Sequence, residues 1–467
     1  MKENVNFGMN VRFHARRYYT PKSETELLEI LRVHRRGTIR AVGSKHAWSD
    51  GIQSDDALVD LRHVNHVRLD QSDGKTIVTV GAGCQIKRLL RILNQQQLTL
   101  PSVGLISEQT IAGATATATH GSGKHSLSHY LTSLRIACYD ESGKRPLMRK
   151  VDASVELQAA RCSLGCLGVV YEVSLPCIPQ YYVREQATPA TTIQQMLDLE
   201  SRSPLQQFFL LPHAWTYLAQ QRSVAEQSKR SGWAGLYRVY WFLTMDIGIH
   251  LLIKVMASIF KSRDLVRFFF RRVLSKFVFP QWIVVDRSDR QLVMEHELFR
   301  HLELEVFVRR SDLIAASHFL TEILRIADDA QVTLTDATQQ MLREADLSEQ
   351  SAAIRGCYTQ HYPICFRRIL PDDTLISMTS GSEEDWFSIS FITYTLPREP
   401  FFLLATFLAQ SMSKLFRARI HWGKWFPLEH AAIREQYPQL DAFRQVCQQF
   451  DPNGVFRNRF IQRLLDL

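Results

Sequence analysis

The sequence predicts an α+β protein of more than one domain, and three observations carry that expectation. A chain of 467 residues exceeds what one ordinary hydrophobic core holds. Its first part alternates short runs of strand type with short helical periods, unlike a long doubly wound sheet. Its second half carries the strand-like runs "HLELEVFVRR", "YPICFRRIL", "TLISM" and "WFSISFITYT", the last three read as strands of a further sheet. Apolar residues make up 45% and charged residues 22%, a globular rather than a disordered composition.

Residues 21–36, "PKSETELLEILRVHRR", form the first predicted helix. Pro21 opens it, acidic residues fill its first turn, basic residues its last, and Leu27, Leu28 and Leu31 share a face. Gly37 ends it, and "TIRAV" is a buried strand that runs into the loop "GSKHAWSD", Gly43 to Asp50. "ALVDL" and "KTIVTVGAG" are strands, and Ile86, Leu89, Leu90 and Leu93 give "CQIKRLLRILNQQQ" a helical period. In "TIAGATATATHGSGKHS", residues 110–126, only glycine, alanine and threonine stand between Ile111 and His120. Two readings are open: small side chains that let backbone N–H groups approach a pyrophosphate, or a small-residue helix packed on a sheet. "SLGCLGVVYEVSL" puts Gly165 and Gly168 just before a strand. No dinucleotide fingerprint, Walker A sequence or His-Glu-x-x-His is present.

Beyond residue 181 the character changes. "TIQQMLDLESRSPLQQFFLLP" reads as helix then strand, "SDLIAASHFLTEILRIADDAQ" as a helix capped by Ser311, and "FFLLATFLAQSMSKLF" as another helix. "HWGKWFP" is a loop, and Asp451 to Gly454 form a turn. Between Lys229 and Lys276 ten basic residues face only Asp246 and Asp264, so most of the net charge of +9 is local. That window lies in an apolar insert, 232–282, where Arg238, Asp246, Lys254 and Lys261 interrupt every run short of the ~20 residues a span needs. On a helical wheel those four and His250 share one half. This predicts a helix lying in a membrane interface, with an amphipathic helix packed on the protein as the alternative. Interleaved aliphatics argue against a nucleic-acid partner. The eight cysteines show neither paired nor metal-site spacing, so free thiols in a reducing cytoplasm and no metal centre are expected. The polar, arginine-rich opening shows no secretory signal.

The segments "ELQAARCSLGCLGVVYEVSLPCIPQ", "THGSGKH", "HWGK" and "DPNGVF", with the three loops in this order, resemble the vanillyl-alcohol oxidase family of flavoproteins. The resemblance is to its aldonolactone and alditol oxidase branch, and it runs over nearly the whole chain. It implies an FAD-binding domain of PCMH type over 1–180 and a substrate domain over 181–424 with a large antiparallel sheet. Residues 425–467 would return to the first domain. It implies FAD as cofactor, with Val42, Gly43, Ser44, Lys45, His46 and Ala47 wrapping the pyrophosphate and His46 bonded covalently to the flavin. A neutral imidazole is a suitable nucleophile, and the bond would raise the flavin's potential. Thr110, Gly113, Ala114, Thr117, His120, Gly121, Gly168 and Val169 are the further implied cofactor contacts, with His421 and Lys424 beside the ring.

The branch carries a Glu-x-Arg pair on a strand of the substrate domain. Here Arg367 keeps the arginine and Cys365 stands in the glutamate's place. A thiol of ordinary pKa, about 8.5, is mostly protonated at neutral pH unless Arg367 lowers it. Thr393 matches a polyol-contacting residue, and Phe426 stands where lactone oxidases have a histidine. The implied activity is FAD-dependent oxidation of a hydroxyl carbon in a sugar lactone, alditol or related polyol, with reoxidation by oxygen. The rivals are a membrane-associated dehydrogenase using another acceptor, and a catalytically weak flavin-binding protein.

Overall fold

The computed structural model describes residues 3–72, 74–226, 229–279, 282–294 and 298–467. The first half is built on two sheets. Arg17–Tyr19, Ala57–Asp60 and Ile39–Val42 form a parallel set, with Ala57–Asp60 in the middle. Five antiparallel strands follow in the order Pro146–Val151, Ser133–Tyr139, Val169–Pro176, Lys75–Gly81, Val67–Ser72. The first helix runs from Glu24 to Val33 and starts later than Pro21, because the Ser23 hydroxyl accepts the Glu26 N–H at 3.2 Å. Leu27, Leu31, Ile39, Val59, Ala137 and Tyr139 share a core with Val455 and Phe456 from the far end of the chain. Arg40 fastens that return: its buried guanidinium donates to the carbonyls of Gly51, Leu164, Gly165 and Phe456.

The second half is an eight-stranded antiparallel sheet. Its order is Val284–Arg287, Tyr182–Ala190, Thr216–Val224, Gln207–Leu211, Ile364–Ile369, Trp386–Thr393, Leu302–Arg309, Arg419–Ile420. Strand alternation gives it two unlike faces. Leu302, Leu304, Val306, Phe366 and Ile389 join the core with helices Leu313–Asp328 and Glu399–Phe416. Glu303, Glu305, Cys365, Arg367 and Ser390 point from the opposite face into a cavity shared with the first half.

Two expected elements differ. "TLISM" is not a strand: the Asp372 carboxylate gathers the Thr374 N–H and the hydroxyls of Ser126, Thr374, Ser377 and Thr379, and these bonds fold the segment into turns. Ser311 does not cap the helix that begins at Leu313; its N–H and hydroxyl bind Glu384, and the turn Arg310–Asp312 intervenes.

The insert is helical over Ala234–Ile259, with π-helical turns at Phe242–Ile249 and Val255–Ile259, and again from Arg263 to Phe277. Residues 280 and 281 of the insert lie outside the described residues. Ile249, Ile253, Val266, Phe269, Phe270 and Leu274 pack beneath it on Leu211. The Tyr237 hydroxyl anchors it to the sheet by donating to Glu185 at 2.6 Å. The wheel reading needs one correction. Asp246 and His250 turn inward and line the cavity, while Leu236, Val239, Leu243, Leu251 and Ile259 face outward. The covered side of the helix is therefore mixed, with Asp246 and His250 beside Trp241, Met245 and Ile253, while these five apolar side chains stay uncovered.

Candidate active site

One cavity runs between the two halves. At one end the loop 43–47 leaves the strand Ile39–Val42 and is clamped on both sides. A Cβ at Gly43 would lie 2.0 Å from the Thr110 hydroxyl oxygen, so only glycine allows the two loops to meet. The Ser44 hydroxyl donates to the Glu108 carbonyl, and Lys45 takes a left-handed conformation (φ +58°) with its amine on Asn4 at 3.0 Å. His46 stacks on Phe7 with ring centroids 4.7 Å apart. Burial, against an opposing pull from Glu108, lowers its pKa to about 4, so the imidazole is neutral at neutral pH.

The loop 421–424 closes the middle of the cavity. The Trp48 N–H donates to the Gly423 carbonyl at 2.8 Å, and the Ser49 hydroxyl donates to the Trp422 carbonyl at 2.8 Å. Lys424 forms a short ion pair with Glu303 and lies 4.4 Å from the centre of the Trp48 ring. His421 Nδ1 accepts the Gly423 N–H at 3.0 Å, and burial holds its pKa down to about 3.

The sheet supplies the floor. Cys365 pairs across the ladder with Ser390, and Ser390 pairs with Glu305, so the three stand in one row across three strands. Burial opposes ionisation of Glu305, but its interaction with His120 and the positive charge of Lys424 outweigh it and hold the carboxyl well below the usual range. Its Oε1 lies 3.2 Å from His120 Nε2 and 4.0 Å from Arg367. Arg367 Nε donates to Gln207 at 3.1 Å. Burial pushes the Cys365 thiol up to about 11, and the smaller opposing effect of Arg367 does not reverse this. The thiol is therefore protonated at neutral pH, and the acid that the site holds ionised is Glu305, two strands away.

Most of the expected residues converge. Val42 to Ala47, Thr110, Gly113, Thr117, His120, Gly168, Cys365, Arg367, His421 and Lys424 all line the cavity. Four do not. Ala114 faces the core while Ala112, Gly113 and Ala116 of the same short helix face the cavity, which joins both readings of that stretch. Val169 packs in the core and Val170 takes its place on the wall. Gly121 borders a smaller adjoining cavity, its position pressed against the Val103 carbonyl. Thr393 has the wrong strand parity: Ser390, Ile392 and Tyr394 face the cavity, and the Thr393 hydroxyl meets Thr395 at 3.1 Å instead.

Glu303 and Glu305 are the residues the sequence reading missed. Their signal was present in "LELEVFVR", where two carboxylates two apart share a face of an otherwise apolar strand. His120, Glu305 and His421 also bring three ligand-type atoms within 4.8 Å of one another, a cation-sized grouping that sequence spacing did not announce. At the far end the cavity turns apolar, with Trp241, Met245, Leu298, Phe299, Tyr362 and Tyr394 on its wall. His250 stacks on Phe299 there and bonds the Tyr362 hydroxyl at 3.1 Å.

Two family models match this chain: an FAD binding domain over residues 15–144, and D-arabinono-1,4-lactone oxidase over residues 173–464. The chain belongs to the D-arabinono-1,4-lactone oxidase family. It is an FAD-dependent oxidoreductase of vanillyl-alcohol oxidase type, with two domains and a large antiparallel sheet. A long-chain alcohol oxidase from an uncultured marine euryarchaeote is 48% identical over 467 residues, covering 99% of this chain and 97% of its own. L-gulono-1,4-lactone dehydrogenase of Mycobacterium tuberculosis is 26% identical, covering 95% of both chains. L-gulonolactone oxidase of Mus musculus is 25% identical, covering 96% of this chain and 94% of its own. The crystal structure of cholesterol oxidase from B. sterolicum shares the fold, with a TM-score of 0.75 at 15% identity, covering 99% of this chain and 96% of that one.

FAD fits the residues that this family member presents. The neutral His46 stands on a loop fixed from both sides, and backbone at Gly43, Gly113 and Gly168 lines the cavity, with glycine required at 43 and 168 because Thr110 and Ala137 occupy the place of a side chain. Lys424 and Arg367 supply positive charge on the sheet side.

Proposed function

We propose that this chain oxidises the hydroxyl carbon of an alcohol bearing a long apolar tail to the corresponding carbonyl. The observation that carries the reading is the change of character along one cavity. Charged groups surround the middle, and Trp241, Met245, Leu298 and Phe299 line the end where a tail would lie. The long-chain alcohol oxidase relative supports the same substrate class. A polyol or sugar lactone is the second reading, favoured by the polar side chains of Gln207, Gln220 and Arg222 on the cavity wall.

In this reading residues 1–180 and 425–467 hold FAD, residues 181–424 hold the substrate, and His46 carries the flavin covalently. The chemistry FAD supplies when bound is acceptance of the hydride and reoxidation by oxygen. Glu305 accepts the hydroxyl proton, since it is the carboxylate that lines the cavity beside Arg367. Arg367 faces the negative charge that develops on the substrate oxygen in a water-poor site. Lys424 keeps Glu303 paired and adds positive charge next to the His46 loop. Cys365 is a small neutral neighbour that leaves space above the row. A peripheral membrane contact through 232–276 belongs to the same reading.

Anaerobic stopped-flow bleaching of the flavin tests it, using primary alcohols of increasing chain length alongside alditols and L-gulonolactone. The apparent affinity should tighten with each added CH₂, by up to about 0.8 kcal/mol where the group is fully buried. Bleaching by alditols or lactones alone would replace the tail reading with the second one.

A further inference from the structure

We infer that helix Ala234–Ile259 is a shared wall between the substrate cavity and an anionic bilayer, so that the substrate's tail enters the site from the lipid phase. This rests on the long-chain alcohol reading and adds the route by which that substrate arrives.

The helix has two faces with different jobs. Its inner face gives Trp241, Met245, Asp246 and His250 to the cavity wall. Its outer face shows Leu236, Val239, Leu243, Leu251 and Ile259 to solvent, and Phe260 and Phe268 extend the apolar surface beyond it. A soluble protein rarely leaves so continuous an apolar stripe uncovered. Its length and mean hydropathy of 1.6 would suit a membrane span, but a spanning helix meets lipid all round. Here Asp246 and His250 face the catalytic cavity and Ile253 is buried on the sheet side, so the helix lies flat with one face down.

Charge decides which surface it meets. Lys254, Lys261 and Lys276 are exposed at the C-terminal end of the stripe and along the next helix, whereas Arg271 and Arg272 line a cleft shared with Asp264 and Asp328. Exposed cations bordering an apolar face match the headgroups and outer acyl region of an anionic membrane.

The cavity opens at this same surface. Leu298 lines the cavity and is 51% exposed, so the apolar end reaches the outside beside the helix. An alkyl chain could then pass from acyl region to cavity along Leu298, Trp241 and Met245, its hydroxyl leading toward Glu305 and Arg367. The tail would not have to cross water, which removes the main barrier to capturing a poorly soluble alcohol.

The test compares the holoenzyme with the Leu236→Glu/Leu243→Glu/Leu251→Glu variant, whose three positions lie outside the cavity. Two substrates are used: 1-hexanol in solution, and 1-hexadecanol embedded in phosphatidylglycerol vesicles. The expected result is hexanol turnover within about twofold of the parent and a loss of at least about tenfold on the embedded substrate. Equal rates for parent and variant on embedded hexadecanol would overturn the route. A second readout does not depend on turnover: brominated phosphatidylglycerol should quench tryptophan emission of the parent and not of the variant. If no alcohol reduces the flavin yet quenching is seen, the alcohol reading fails and the bilayer-seated wall stands. If the parent is not quenched, the wall itself is refuted.

Discussion

Lowering the pH from 8 to 5.5 should weaken the fold, and three buried histidines carry much of the effect, with His46 left aside because the proposed flavin bond would occupy its imidazole. Burial holds His301 and His421 down to about 3, and His361 to about 4. Two are also fixed neutral by geometry. His361 Nε2 accepts the Tyr394 N–H at 3.1 Å, and His421 Nδ1 accepts the Gly423 N–H at 3.0 Å. Protonating either nitrogen would break its hydrogen bond and leave a charge in the interior. Glu305 lies within 4.8 Å of His421 and favours its protonation, but burial outweighs that attraction.

The folded pKa of each group lies below its unfolded value near 6.5, so its contribution to stability is complete above that pH and lost as pH falls toward the folded value. At pH 5.5 the unfolded chain gains about 1.4 kcal/mol from each histidine, or about 4 kcal/mol for the three. That is a large fraction of the roughly 5–15 kcal/mol that holds a typical domain together. Carboxylates held low, such as Asp373 at about 2, do not contribute in this window, because they protonate in the unfolded chain only near pH 4. Urea unfolding at pH 8, 7, 6 and 5.5, followed by tryptophan fluorescence, reads the effect. The midpoint should fall steadily, and His361→Gln should lessen the loss of unfolding free energy by about 1.4 kcal/mol. A midpoint that holds or rises between pH 8 and 5.5 would refute the assignment of neutral buried histidines.

The remaining expectations concern the site. Glu305→Gln should slow anaerobic flavin reduction about 100-fold or more with FAD content unchanged, as expected on losing a general base. Cys365→Ser should leave that rate within about threefold and iodoacetamide should not inhibit, because a buried thiol near 11 presents little thiolate. The parent should keep its flavin fluorescence on a denaturing gel, and His46→Ala should lose it while retaining the folded circular-dichroism spectrum. Lys424→Met leaves Glu303 buried without its partner and should cost about 3–5 kcal/mol in urea unfolding, much of it recovered in Lys424→Met/Glu303→Gln.

Much of the architecture was legible because it is written in local periodicity. Leu27 and Leu31, or Ile86, Leu89, Leu90 and Leu93, mark helix faces wherever the helix docks, and "KTIVTVGAG" is extended by its own alternation. The glycines at 43, 113 and 168 were visible as places where backbone needs room, and the separated motifs named the family. The boundaries that moved did so through side chains that compete with backbone pairing, as Asp372 does for residues 374–379 and Ser23 for the first helix. What sequence left open was which way each face points. Alternation says that Glu303 and Glu305 share a side, but only pairing with Trp386–Thr393 sets them in one row with Cys365 and beside Arg367. The same pairing puts Ser390 and Ile392 over the cavity and turns Thr393 away from it. On the insert helix, a periodicity that marks one apolar and one polar side does not say which side is covered. The fold settles it by covering Asp246 and His250 together with Ile249 and Ile253 and leaving Leu236, Leu243 and Leu251 outside. Periodicity is fixed within a segment by backbone geometry, whereas orientation is fixed by partners far away along the chain, and those partners meet only in the folded protein.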